Sequence, residues 1–184
     1  MGTDQTSFIT IDDREVIAML KRIQSRVSDL KPVMTRIGAL YERRVLENFA
    51  AEKSPDGIPW KPLAQDTMLI GLARHKGLKK SGGLSARGRR YLRTKKILRE
   101  RGDLEGSIHF QADGTSVAIG SSGSIPYAAI HQRGGMAGRG RKVAIPARPY
   151  LAVNRGKEMV LAEPDRRWIM ELIEAELAAA EQKA

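Results

Sequence analysis

The sequence predicts an α+β fold: a small, mainly antiparallel sheet packed against long N-terminal helices and a C-terminal helix, with a basic loop or arm extension. Three observations carry this. Apolar stripes of helical period stand at both ends of the chain, β-prone runs lie between them, and an Asp-Gly turn joins two of those runs, which makes their strands antiparallel. The chain has 184 residues, the length of one domain spanning 1–184. Its 41% hydrophobic content supplies a sizeable core, and its 29% charged content suits a globular protein.

Phe8-Ile9-Thr10-Ile11 is a short β-prone run. Asp12 and Glu15 follow at capping-box spacing, leading into the amphipathic series Val16, Ile17, Leu20, Ile23, Val27 and Leu30. Pro32 disfavours the helical conformation at Lys31 and separates a second helix, marked by Val33, Ile37, Leu40, Tyr41, Val45, Leu46 and Phe49 and predicted to end near Lys53. Residues 54–63 hold three prolines and the turn Pro55-Asp56-Gly57, which read as an ordered connector with Trp60 as its buried anchor.

Farther on, Ser107–Ala112 and Thr115–Gly120 flank Asp113-Gly114, a hairpin with a two-residue loop. Residues 126–132 form one or two helical turns, 134–142 a glycine-rich basic loop, and Val143-Ala144-Ile145 a further strand of the same sheet. Glu163-Pro164 opens the C-terminal helix, whose buried stripe is Trp168, Ile169, Leu172, Ile173 and Leu177.

The net charge of +11 is local. Residues 74–101 contain twelve Lys or Arg against the single acid Glu100, whereas the rest of the chain carries twenty of each sign. An electroneutral body with one basic segment meets a polyanion or an acidic protein surface through that segment. Glycines and the lack of an apolar period predict a segment that is poorly ordered until a partner orders it.

Catalytic chemistry is thinly represented. The absence of cysteine excludes disulfides, thiolate metal sites and cysteine nucleophiles. His75, His109 and His131 have no i,i+4 ligand partner, so neither a metal nor a cofactor is expected. His131 could be imagined as a general base in a hydrolase, but no nucleophile or acid is placed beside it by local motif, and a hydrogen-bonded packing histidine is the simpler reading. Asp56 reads as a turn residue and Asp66 as a helix cap. Gly134–Lys142 lacks the Gly-Lys-Ser/Thr ending of a phosphate-binding loop. The N-terminus has no signal-peptide pattern and no stretch reaches the ~18 apolar residues of a membrane span, so a cytosol-like compartment and no membrane contact are expected.

Partner contact therefore becomes the leading expectation. Its candidates are Lys79, Lys80, Arg87, Arg89, Arg90, Lys95 and Lys96 in the arm, Arg139 and Arg141 in the glycine-rich loop, and Trp60, His131, Arg148 and Tyr150 elsewhere. Arg148, fixed between Pro146 and Pro149, is expected at a subunit boundary or in a charge-assisted hydrogen bond. The arm has one aromatic, Tyr91, and offers little base stacking, so any nucleic-acid contact is expected to be independent of base sequence.

Four motifs in order resemble the phage virion morphogenesis family, the tail-completion or neck proteins of Mu-like and related tailed phages. They are Pro55–Leu63; Ile97-Leu98 ahead of Gly102–Ile108; Tyr127–Gly135; and Ile145–Leu151. The resemblance runs from about Ile37 to the C-terminal helix. Where the family often has Thr-Gly before the leucine of the second motif, this chain has Arg101-Gly102-Asp103-Leu104. The resemblance implies a non-enzymatic virion protein at the head-tail junction, assembled in the bacterial host cytoplasm, in a homo-oligomeric ring with a hexamer favoured. It also implies head-connector and tail proteins as neighbours. The alternative is a sequence-independent nucleic-acid-binding accessory protein that uses the basic arm.

Overall fold

A computed structural model describes residues 7–9, 14–24, 30–156 and 158–181. Its first elements are strand β1 (Ser7–Ile9), helix α1 (Arg14–Gln24) and helix α2 (Lys31–Ala51). The capping pair Asp12/Glu15 falls partly outside the described residues, as do the side chains of Leu20, Ile23 and Val27. Along α1, Met19 is buried and Val16 packs against the core, whereas Ile17, counted in the expected stripe, is exposed.

Pro32 sits in the first turn of α2, where its missing N–H costs nothing, and Glu52 ends the helix in the left-handed conformation. Val33, Met34, Ile37, Tyr41, Val45 and Phe49 recur at three- and four-residue spacing and are all buried. Between them, Gly38 lets the sheet approach: a Cβ there would lie 2.2 Å from the Phe110 ring.

The sheet facing α2 has the order β1-β3-β2, all antiparallel, with β2 at Ile108–Ala112 and β3 at Val117–Ser121. The connection between β2 and β3 is not the two-residue loop the sequence suggests. Ala112 pairs with Val117, so Asp113–Ser116 make a four-residue turn. Asp113 organises it by accepting from the Thr115 and Ser116 N–H groups and both hydroxyls, which holds its carboxyl down at about 2. Val143–Ile145 does not join this sheet either. As β5 it pairs with β4 (Gly135–Ala137) in a separate two-stranded ribbon, and the expected fourth strand of the main sheet is thereby corrected. A second ribbon, β6 (Val153–Arg155) with β7 (Glu158–Val160), leads into helix α7 (Glu163–Glu181).

Helix α7 lies against α1 and α2 through Ile169, Leu172 and Ile173, with Trp168 half-buried; the Leu177 side chain lies outside the described residues. Its first-turn Asp165 is 2% exposed and is bound by Arg44 from α2. Burial pushes the Asp165 carboxyl up and Arg44 opposes that shift. Burial, reinforced by the Asp165 charge, drives the Tyr41 hydroxyl far above its ordinary range.

The most unusual part of the core is the segment Arg148–Ala152, which is buried or nearly so yet belongs to no sheet. Buried backbone groups need partners, and here side chains supply them. Trp60 Nε1 donates to the Pro149 carbonyl (2.7 Å), Asn48 Nδ2 to Tyr150 (3.1 Å), Tyr41 to Leu151 (2.7 Å) and Gln132 Nε2 to Ala152 (2.7 Å). The Gln132 Oε1 accepts both the Tyr150 and Leu151 N–H groups at 3.0 Å. Gln132 belongs to helix α6 (Ala128–Arg133), so a single amide clamps that helix to the segment.

Candidate functional site

Residues expected to form an unstructured arm are folded. Helix α3 (Gln65–Arg74) and helix α4 (Ala86–Thr94) form a hairpin whose connection includes the bridge Leu78–Leu84. The packing works through glycine rather than through an apolar stripe. A Cβ at Gly71 would meet the Tyr91 hydroxyl at 1.9 Å, and one at Gly88 would meet the Gly77 carbonyl oxygen at 2.1 Å. Ser85 caps α4 by accepting from the Gly88 N–H and donates to the Lys76 carbonyl. At the opposite helix end, Ala64 rather than Asp66 is the cap of α3, and Asp66 lies in its first turn where a negative charge suits the helix dipole.

The cations divide into two sets. Lys95 pairs with Glu100, while Arg99 and Arg101 pair with Glu105 and Asp103 of the short helix α5 (Asp103–Gly106), and the Ile97 N–H donates to Glu52; these contacts fasten the end of the hairpin to the body. Lys95, whose side chain is 9% exposed and lies over the Tyr91 ring, is thus a fastening residue and not a partner-facing one. By contrast Arg74, Lys76, Lys79, Lys80, Arg87, Arg89, Arg90, Arg93 and Lys96 are exposed, and among the described residues none is paired with a carboxylate. Arg89 and Arg93 stand at i,i+4 on α4, a spacing at which like charges repel. An anionic partner relieves that repulsion.

The same hairpin also exposes apolar groups. Leu69 and Ile70 on α3 are 54% and 52% exposed, and Leu78 in the turn is also exposed. The sequence reading missed them as surface residues, since neighbouring leucines and isoleucines ordinarily signal burial. The remaining loop candidates, Arg139 and Arg141, lie in the short 3₁₀ turn at the tip of the β4–β5 ribbon, which also exposes Met136 and Val143.

Three other candidates lie inside the chain. Trp60 and Tyr150, 5% and 2% exposed, build the core, as expected of a buried anchor at Trp60, and Arg148, 5% exposed, meets solvent only where it lines the cleft described below. Trp60 meets Phe49 edge-on, and Tyr150 packs on the same ring. Burial lifts the Tyr150 hydroxyl to about 12. Arg148 donates from Nε to the Lys61 carbonyl (2.9 Å) and from Nη2 to the Pro62 carbonyl (3.0 Å), which realises the charge-assisted bonds expected from its sequence setting.

His131 and Arg148 lie at a cleft of about 690 Å³ between the hairpin base and the body, edged also by Arg74, His75, Arg101 and Tyr127. His131 stacks edge-on against Tyr127, and its Nδ1 is buried without a partner, which departs from the hydrogen-bonded packing histidine expected. Burial, with the nearby Arg148 charge, lowers its pKa below 6.5. A base held neutral in the fold stabilises it fully above the unfolded value and loses that contribution as pH falls through the lowered folded value. Thermal unfolding at pH 7.5 and at pH 5 is therefore expected to show a larger acid loss of midpoint in the wild type than in His131→Gln, and equal losses would contradict this. Among the described residues no carboxylate or hydroxyl bonds to the His131 ring, and no group of three or more metal-ligating side chains gathers. No described helix is long and apolar enough to cross a membrane.

Two comparisons with known proteins gave matches. The model of the phage virion morphogenesis family matches residues 11–178. Over 162 residues the chain is 30% identical to the Mu-like prophage FluMu G protein 2 of Haemophilus influenzae, covering 87% of this chain and 93% of that protein. No solved structure matches significantly. The chain belongs to the phage virion morphogenesis family, and its role lies in building the virion.

Proposed function

We propose that this family member is a structural protein of the head-tail junction, completing or joining the tail as a homo-oligomeric ring, and that the α3–α4 hairpin is its docking element toward a neighbouring head-connector or tail protein. One observation carries this reading: the hairpin joins exposed Leu69 and Ile70 to cations that no carboxylate among the described residues pairs with, and residues 74–101, which run from the end of α3 through α4, hold the whole net charge of the chain. Duplex DNA would use the cations and leave the leucine and isoleucine in water. An acidic protein surface with an apolar centre uses both, burying the apolar groups inside a polar rim.

The test is a variant in which Lys79, Lys80, Arg87, Arg89, Arg90 and Lys96 become glutamine, introduced into the phage that makes this chain. The fold should be unchanged by circular dichroism and melting, because these side chains fasten nothing to the body. Heads and tails should accumulate unjoined, with docking weakened about 100-fold or more, and raised salt should mimic the defect in the wild type. Wild-type particle yield from the variant would defeat the docking role. Loss of wild-type binding on nuclease treatment would transfer the hairpin to the nucleic-acid reading, in which it contacts phosphates without regard to sequence.

A further inference from the structure

We propose that the cleft between the hairpin base and the body binds a carboxylate side chain of a neighbouring protein, taken up between the free edge of Arg148 and the His131 imidazole. Arg148 is 5% exposed and carries a full charge, yet both of its bonds go to carbonyl oxygens and none to a carboxylate among the described residues. Carbonyl dipoles only partly offset a buried cation, and a buried charge without a counter-ion is costly. Among the described residues its Nη1 has no acceptor, and the residue lines the cleft. A carboxylate there would supply the missing charge, in the planar geometry that guanidinium groups favour.

His131 completes the site. Its carbonyl accepts the Arg148 N–H at 2.7 Å, which locks the two residues together. With Nδ1 buried and unpartnered, Nε2 is the ring atom left to meet a ligand, and as a neutral donor it adds one hydrogen bond to a carboxylate oxygen without adding charge. The two acids at the cleft, Glu100 and Asp103, are already engaged by Lys95 and Arg101, so the unmatched charge of the cleft is positive. Leu63, Leu98 and Tyr127 line it as well and suit the aliphatic stem and flanking residues of a peptide, while a cleft of about 690 Å³ does not admit a nucleic-acid duplex. A free phosphate shares the anionic chemistry but not the apolar flanks.

That the carboxylate comes from another virion protein rests on the junction reading above, whereas the chemistry of the cleft does not. The experiment uses the purified full chain and three probes at equal ionic strength: an end-blocked pentapeptide with one central glutamate between leucines, its glutamine counterpart, and inorganic phosphate. The glutamate peptide should perturb the His131 imidazole resonances saturably and bind about tenfold or more tightly than the glutamine peptide, and His131→Gln should remove about tenfold of that affinity. Arg148→Lys should weaken it further; because that residue is buried, the paired surface variant Arg74→Gln/Lys96→Gln provides a second reading through a several-fold loss that added salt reproduces. Equal binding of the two peptides, phosphate binding as tightly as the glutamate peptide, or no effect of His131→Gln would overturn the proposal. Intact discrimination between the peptides, together with normal particle assembly by His131→Gln, would keep the cleft chemistry and remove the virion protein as its source.

Discussion

Replacing Gln132 with leucine is expected to cost about 3–6 kcal/mol of stability, the largest effect of any single exchange considered. The new side chain has similar volume but leaves the Tyr150 and Leu151 N–H groups and the Ala152 carbonyl without partners. Each such buried orphan costs ~1–3 kcal/mol. Asn154, which donates to the Gln132 carbonyl at 2.7 Å and faces its amide, would also lose one contact. Urea unfolding followed by tryptophan fluorescence measures the loss. A change below about 1 kcal/mol would mean that the segment is not held through this amide.

Trp60→Ala is expected to be nearly as damaging, at about 3–5 kcal/mol, since a fully packed indole is deleted from against Phe49. Two contributions can be separated. Trp60→Phe keeps most of the apolar contact but removes the Nε1–H donor to Pro149, and should cost only ~1–3 kcal/mol. An interface tryptophan would behave in the opposite way, sparing the isolated chain and weakening only assembly. Thermal unfolding of the two variants distinguishes these outcomes, and a wild-type melting temperature for Trp60→Ala would return Trp60 to the surface.

Much of this architecture was legible because it rests on periodicity. The stripes of α2 and α7 repeat every three to four residues over long helices, and β2 and β3 sit beside a turn residue of distinct chemistry, so their positions follow from patterning. The hairpin escaped the same logic. Its close packing uses Gly71, Gly77 and Gly88 against Tyr91 and backbone, which leaves no apolar period, and its apolar Leu69 and Ile70 face outward. What signalled order there was Ser85, a helix-capping residue immediately before α4.

Short strands formed the second blind spot. β4 to β7 are three residues each, too brief to display an alternation, and their pairing is set by turns at Gly138 and Gly156, both at positive φ. Gln132 was hidden for a different reason. Polar residues read as surface, yet this amide serves backbone groups that no sheet accommodates, and only the fold reveals which of them need a partner. The charge arithmetic did locate the basic segment, but it could not foresee that Lys95, Arg99 and Arg101 would be consumed by Glu100, Glu105 and Asp103.

The central claim is that this chain forms part of the finished particle and docks there through the α3–α4 hairpin. A cryo-electron microscopy map of the purified particle tests it most directly. The expected result is a ring of this fold between head and tail, with the hairpin residues Leu69, Ile70, Arg87 and Arg90 against an acidic face of the adjoining protein. A particle map and mass spectrum in which the chain is absent, or a ring whose hairpins point into solvent, would contradict it.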